Sequence, residues 1–254
     1  TRCSRDWSSD VCSSDLVKRP VNGKITVQPF GPYLVEGEIP LVHKTQIVSE
    51  FGEPLNWELD KVLESKGPYE LCRCGQSRKK PYCDGTHCEL DFDGTETAPT
   101  NTFAERAKVL DRATGILVKI DNSLCMDSGF CGNRLTNIIK MLKDTAEPKV
   151  RAEIMAMIDR CPSGTYSYAM DKDCEDVEAD LPVQIAATTE ITSEGPIVGS
   201  LWATGYIPVE RADGLPFETR NRVTLCNCGE SCKKPLCDGT HRKIQEEELK
   251  KSKQ

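Results

Sequence analysis

Cys72-Arg73-Cys74, eight residues, then Cys83-Asp84-Gly85-Thr86-His87: this sixteen-residue stretch returns as Cys226-Asn227-Cys228, eight residues, then Cys237-Asp238-Gly239-Thr240-His241. Each copy offers three thiolates and one imidazole, a soft donor set that suits zinc or an iron–sulfur cluster. The chain has only three histidines, and two of them occupy this one position. Zinc modules usually use C-x2–4-C knuckles that wrap one ion. A C-x-C pair reaches one iron of a two-iron core more easily, leaving Cys83 and His87 for the other, with Gly85 allowing the sharp turn between them. Spacing alone leaves both metals open and leans towards iron–sulfur.

The fuller pattern, Cys-x-Cys-x2-Ser-x3-Pro-x-Cys-Asp-Gly-Thr-His, resembles the CDGSH iron–sulfur domain, with Thr where that family usually has Ser. Ser77, Pro81 and Asp84 complete it in the first copy, and Ser231, Pro235 and Asp238 in the second. The resemblance implies two [2Fe-2S] clusters, one held by Cys72, Cys74, Cys83 and His87, the other by Cys226, Cys228, Cys237 and His241. It also implies pairing, because single CDGSH modules form homodimers.

The duplication extends upstream. Leu34-Val-Glu-Gly37-Glu-Ile39-Pro40 parallels Trp202-Ala-Thr-Gly205-Tyr-Ile207-Pro208, Gly52-Glu-Pro54 parallels Gly214-Leu-Pro216, and Tyr69-Glu-Leu71-Cys72 parallels Val223-Thr-Leu225-Cys226. Short β-branched and aromatic runs bounded by Gly and Pro read as strands and turns, with a short helix from the Asp-Gly-Thr-His turn onward. Each module alone would have a very small core. An intrachain pseudo-twofold pair is therefore expected ahead of two beads on a linker, and with it a monomer.

Between the copies lies a segment of another character. Leu135, Ile138, Ile139 and Leu142 fall at the spacing of one helix face, and Val150 to Ile158 reads as a second helix after Pro148. Beside them stand Cys125-Met-Asp-Ser-Gly-Phe-Cys131 and Cys161-Pro162. A bacterial ferredoxin run is C-x2-C-x2-C with a remote Cys-Pro; here Ser128 takes the middle place. Strands at Ile116 to Ile120 and Thr165 to Met170 would complete a shrunken ferredoxin-like unit. Cys125, Cys131 and Cys161 could hold a third Fe–S cluster, with Asp127, Ser128, water or Cys174 at the fourth position. Simple packing, or a decayed site, stands ahead of that reading because the fourth thiolate is missing.

The fold expected is α+β: two small β-rich CDGSH iron–sulfur modules as an intrachain pseudo-dimer, with a helical, ferredoxin-like insert. The first module is placed at 17–97, the insert at 98–190, the second module at 191–245 and a charged tail at 246–254. Residues 6–16 coincide with the in-frame translation of a sequencing adapter, so 1–16 are set aside as an artefact. The true N-terminus and any targeting signal stay open.

Composition narrows the partners. A net charge of −7 disfavours nucleic acid, and no apolar run reaches membrane-spanning length. Fourteen cysteines clustered with histidine at metal spacing argue against a disulfide scaffold and for a reducing, cytoplasmic setting. Arg73, Arg78, Lys79 and Lys80 in one motif, and Lys233, Lys234 and Arg242 in the other, read as a solvated loop face or as a field that offsets cluster charge and steers a redox partner. Cys88 and Cys232 read as packing or surface thiols, His43 as a strand residue, and the tail from Lys243 as a frayed helix. No nucleophile elbow, zinc-protease helix, P-loop or dinucleotide-binding glycine run occurs. The chain is thus read as a non-enzyme, for electron transfer or redox and pH sensing; cluster storage and transfer to apo-proteins, or a zinc-stabilised interaction protein, are the alternatives. Its partner is then a redox protein or an apo-acceptor.

Overall fold

A computed structural model describes residues 20–253; the artefact expected at 1–16 lies outside them. The first module contributes β1 (Gly23–Val27), β2 (Tyr33–Gly37), β3 (Leu41–Val48), β4 (Pro54–Leu63) and β5 (Tyr69–Leu71). The second contributes β9 (Gln184–Thr192), β10 (Gly195–Thr204), β11 (Val209–Glu210), β12 (Arg222–Leu225) and α4 (Thr240–Ser252). Between them run α1 (Phe103–Arg106), β6 (Lys108–Val109), β7 (Leu117–Ile120), α2 (Ile138–Met141), α3 (Pro148–Arg160) and β8 (Tyr166–Ala169).

The modules exchange strands. One sheet runs β11-β1-β2-β5 and another β12-β10-β9-β3-β4, so each module's central hairpin receives a strand from the other. Both exchanges follow an Ile-Pro step. The amide of Ile25 donates to Pro208 O at 2.9 Å and that of Ile185 to Pro40 O at 2.9 Å. Beyond them β1 pairs parallel with β11 at Ile25↔Val209, and β9 with β3 at Leu41↔Ile185. A proline cannot donate to a ladder, so each Ile-Pro step marks where the chain leaves its own sheet and enters its neighbour's.

One core results. Ile25, Tyr33, Val35, Ile39 and Leu41 pack with Ile185, Leu201, Ile207, Val223 and Leu225 in a single buried cluster. The intrachain pair expected from the duplication is thus realised by shared sheets as well as by contact. The second module's sheet begins at Gln184, before residue 191, because β9 is the counterpart of β1.

The insert has its own core. Sheet β6-β7-β8 carries Val118, Tyr166 and Tyr168 against Ile138, Leu142, Ile154 and Ile158. Helix α3 starts with Pro148 at its first turn, as expected. The first helix is shorter than its periodicity suggests. Asn133 Oδ1 accepts from the amides of Leu135 and Thr136, and Asn137 caps α2 by accepting from Lys140 N. Leu135 therefore sits in a turn, 89% exposed, and the buried face is Ile138, Met141 and Leu142. Arg222 on β12 fastens the insert to the second module. Its buried guanidinium donates from Nη1 to the carbonyls of Ile158, Asp159 and Cys161 at the C-terminal end of α3.

The tail is docked, contrary to the frayed helix expected. Gln245 exchanges hydrogen bonds with Val198 N and O on β10, and Lys253 Nζ reaches Glu194. Among the described residues no helix is long and apolar enough to cross a membrane.

Candidate metal centres

Each candidate centre begins where a strand ends. In the first copy β5 delivers Cys72, whose amide donates to Pro81 O at 2.8 Å, while Cys83 N donates back to Glu70 O at 2.9 Å. The second copy repeats this with Cys226 N to Pro235 O, 2.8 Å, and Cys237 N to Thr224 O, 2.9 Å. Ser77 Oγ donates to Tyr82 O and accepts from Lys79 N; Ser231 Oγ does the same with Leu236 O and Lys233 N. Asp84 accepts from the amides of Arg78 and Thr86, and Asp238 from those of Cys232 and Thr240. The Ser and Asp of the motif thus brace the loop, and the cysteines are left to the metal. Gly85 and Gly239, at φ 84° and 86°, turn the chain so that the histidine comes back over the third cysteine.

The four predicted ligands of each copy come together in two pairs. Cys72 Sγ lies 3.9 Å from Cys74 Sγ, and Cys83 Sγ lies 3.3 Å from His87 Nδ1. In the second copy the distances are 3.7 Å for Cys226–Cys228 and 3.4 Å for Cys237–His241. Two thiolates on one tetrahedral metal stand about 3.8 Å apart, and a thiolate and an imidazole nitrogen about 3.5 Å, so each pair is spaced for one metal. Two pairs with two metals between them, which is what a [2Fe-2S] core requires, fit this donor set. Nδ1 is the histidine nitrogen turned towards the sulfur in both copies.

The copies approach closely at the pseudo-twofold. A Cβ added to Gly75 would stand 2.2 Å from Cys228 O, and one added to Gly229 would stand 2.6 Å from Cys74 O. The two C-x-C loops are therefore in backbone contact.

Their surroundings differ. Cys83 and His87 are partly exposed, whereas their counterparts Cys237 and His241 are each 2% exposed. Burial of the second site comes from α4, which continues from Thr240 over β10, and from the insert, whose Met126 and Asp127 press on Gly239. Thiol acidity follows. Burial raises Cys74 and Cys83, and raises Cys237 well above the ordinary thiol value. Cys226 is drawn down to about 6 by the hydrogen bond from the Cys228 thiol, against burial, with the amides of Ser231, Cys228 and Gly229 adding.

The basic residues divide in a way the sequence did not indicate. Arg73 is buried, donating to Gly94 O at 2.6 Å and to Gln28 O, and packs near Tyr33 and Phe92. Lys234 is buried with Nζ on Gly229 O, and Arg242 pairs with Glu190 at 2.6 Å. These three are committed to structural contacts. Arg78, Lys79 and Lys80 are exposed beside the first site.

Cys125, Cys131 and Cys161 line one small cavity of ≈ 40 Å³ with Asp127, Ser128 and Tyr166. Burial and the two neighbouring thiols push Cys131 up, and burial plus the same three cysteines push Tyr166 up to about 12. A cuboidal cluster takes each cysteine on a different iron, so sulfurs around a shared cavity suit it. Cys174 lines a separate cavity. Cys88 and Cys232 are exposed, with Cys88 Sγ 3.4 Å from His87 Nε2. His43 lies on β3, bonded to Asp60 and Thr189 and away from both centres.

Comparison with protein families agrees with this geometry. The family described as iron-binding zinc finger, CDGSH type, matches residues 30–88 and again 198–242. A second family, described as divergent 4Fe-4S mono-cluster, matches 112–171. Two CDGSH-type segments thus flank a ferredoxin-like insert. The three matched segments correspond to the strand-exchanged modules and the unit built on β6-β7-β8. A search of curated proteins finds no match.

Sequence reasoning missed Glu190. This fully buried carboxylate on β9 accepts from His241 Nε2 at 2.9 Å and pairs with Arg242. Some fifty residues separate it from the motif. The one hint is Gly199 within a strand run, where a glycine marks a bulge or a close approach.

Proposed function

We propose that the chain is a non-catalytic iron–sulfur protein that holds a [2Fe-2S] cluster at each CDGSH site and uses them for electron transfer or redox sensing. Cys72, Cys74, Cys83 and His87 hold one cluster, and Cys226, Cys228, Cys237 and His241 the other. The observation that carries the reading is the division of each ligand set into two metal-spaced pairs, repeated within 0.2 Å in the two copies. A bound cluster supplies one-electron chemistry, and replacing a thiolate by neutral imidazole places its potential above that of plant-type ferredoxins. The chain's part is to fix Nδ1 on the metal side and to hold the thiols in braced loops. Arg78, Lys79 and Lys80 give the exposed first site a local positive field for a partner or apo-acceptor.

A third cluster at Cys125, Cys131 and Cys161 is part of this proposal. The observations that favour it are the gathering of the three cysteines at one cavity and the match of residues 112–171 to the divergent 4Fe-4S family.

The test is anaerobic purification with iron, sulfide and zinc counted beside optical spectra. About four irons with a reducible [2Fe-2S] spectrum support the CDGSH reading, and about seven or eight support the third cluster as well. Stoichiometric zinc without visible absorption would instead support the zinc-stabilised alternative. Transfer of iron and sulfide to an apo-ferredoxin would favour storage and delivery over electron carriage.

A further inference from the structure

The two CDGSH sites match in their ligands and loop hydrogen bonds but differ behind the histidine. His241 Nε2 meets Glu190 Oε1 at 2.9 Å, and Glu190 Oε2 meets Arg242 Nη1 at 2.6 Å. Glu190 is 0% exposed, so this carboxylate is enclosed with one imidazole and one guanidinium. An ionised carboxylate only accepts, so the proton sits on Nε2 and the Nδ1 lone pair is left for the metal. The fold makes room for it. A Cβ at Gly199, in the β10 bulge, would stand 2.9 Å from Glu190 Oε1.

Among the described residues the first site has no counterpart. Ile25 and Ile185 occupy equivalent places, each donating to the partner module's proline carbonyl, and five residues on stand Phe30 and Glu190. Phe30 is 64% exposed and brings no acceptor. His87 Nε2 faces Cys88 Sγ at 3.4 Å, a weak partner at the surface. Cys88 also takes the place held in the second copy by Arg242.

We infer that Glu190 is a positioning residue for His241 that makes the two clusters unequal, the second firmly retained and harder to reduce, the first the exchangeable one. The inference rests on both sites holding clusters. A carboxylate hydrogen-bonded to a ligating histidine fixes the ring and strengthens the nitrogen as a donor, and losing such a partner costs about 10–100-fold in metal affinity. A stronger donor in a buried site disfavours adding an electron, and Arg242 offsets only part of that charge effect.

The experiment is redox titration of the full chain followed by EPR, with the rate of iron loss to a chelator at constant pH, for wild type, Glu190→Ala and Glu190→Gln. Wild type is expected to show two potentials and two loss rates. Glu190→Ala should raise the lower potential alone and speed the slower loss roughly tenfold or more. Glu190→Gln keeps an acceptor, so it should recover most of the retention while the potential stays raised. It also keeps the shape of the site, so a poorly folded alanine variant leaves the question decidable. Equal wild-type loss rates, or a Gln variant with both potentials unmoved, would overturn the inference. A wild type without iron would instead sink the cluster reading beneath it.

Discussion

Gly75 and the Cys228 carbonyl stand so close across the pseudo-twofold that a Cβ on the glycine would fall 2.2 Å from the oxygen. The contact ties the first C-x-C loop to the second, so damage at one loop should reach both sites. Gly75→Ala meets both the backbone clash and a φ of 81°. Gly52, at φ 79° with nothing within 4 Å, shares only the second burden. We expect Gly52→Ala to cost about 1–2 kcal/mol from the left-handed backbone alone. Gly75→Ala should cost more and perturb the spectra of both clusters. Thermal unfolding and EPR of the two variants check this, and equal effects would mean that the loops do not constrain one another.

Arg222 should hold the insert to the second module. Arg222→Met keeps the bulk but leaves the carbonyls of Ile158, Asp159 and Cys161, and Glu178, without their cation, and should cost about 3 kcal/mol. Amide exchange should rise first in α3. An unchanged exchange pattern would place the coupling elsewhere.

The loop aspartates set a limit on acid sensitivity. Hydrogen bonds from Thr86 and the Arg78 amide hold Asp84 well below the usual carboxylate range. Burial pushes Asp238 up, but bonds from Thr240 and the Cys232 amide outweigh it and leave it lowered. A carboxylate with a depressed folded pKa contributes stability that is present above its unfolded value of about 3.9 and is lost only as pH falls through the folded value. Cluster release above about pH 4 should therefore survive Asp84→Asn and Asp238→Asn with an unshifted midpoint. A midpoint that moves with either variant would assign the acid response to the loop carboxylates.

Cys131→Ser should remove one EPR species and the irons it contains while leaving both [2Fe-2S] signals. No change in iron content would reduce Cys125, Cys131 and Cys161 to packing residues. Loss of all signals would show that the insert is needed to fold the second site, against which Met126 and Asp127 pack.

Much of this was legible in the sequence because the relevant signals are local or duplicated. The ligand spacing fixed the pairs, and the repeated Ile-Pro steps at Pro40 and Pro208 pointed to corresponding strands. Their exchange was harder to read, since parallel pairing of β3 with β9 joins residues more than a hundred positions apart. Periodicity misled at Leu135 because an Asn side chain competes for backbone amides and delays the helix. Charge misled at Arg73 and Lys234, where a cation turned inward satisfies buried carbonyls instead of facing water. Glu190 escaped notice because one acidic residue in a strand carries no local signature.

The central claim is that each site is a [2Fe-2S] cluster with a single histidine bound through Nδ1. Its most direct test is pulsed EPR of the reduced protein labelled with 15N-histidine, for wild type, His87→Cys and His241→Cys. Strong imidazole-nitrogen coupling should appear on both clusters of the wild type and vanish from one cluster in each variant. Reduced clusters with no coupled histidine nitrogen, or coupling that survives both substitutions, would contradict the account.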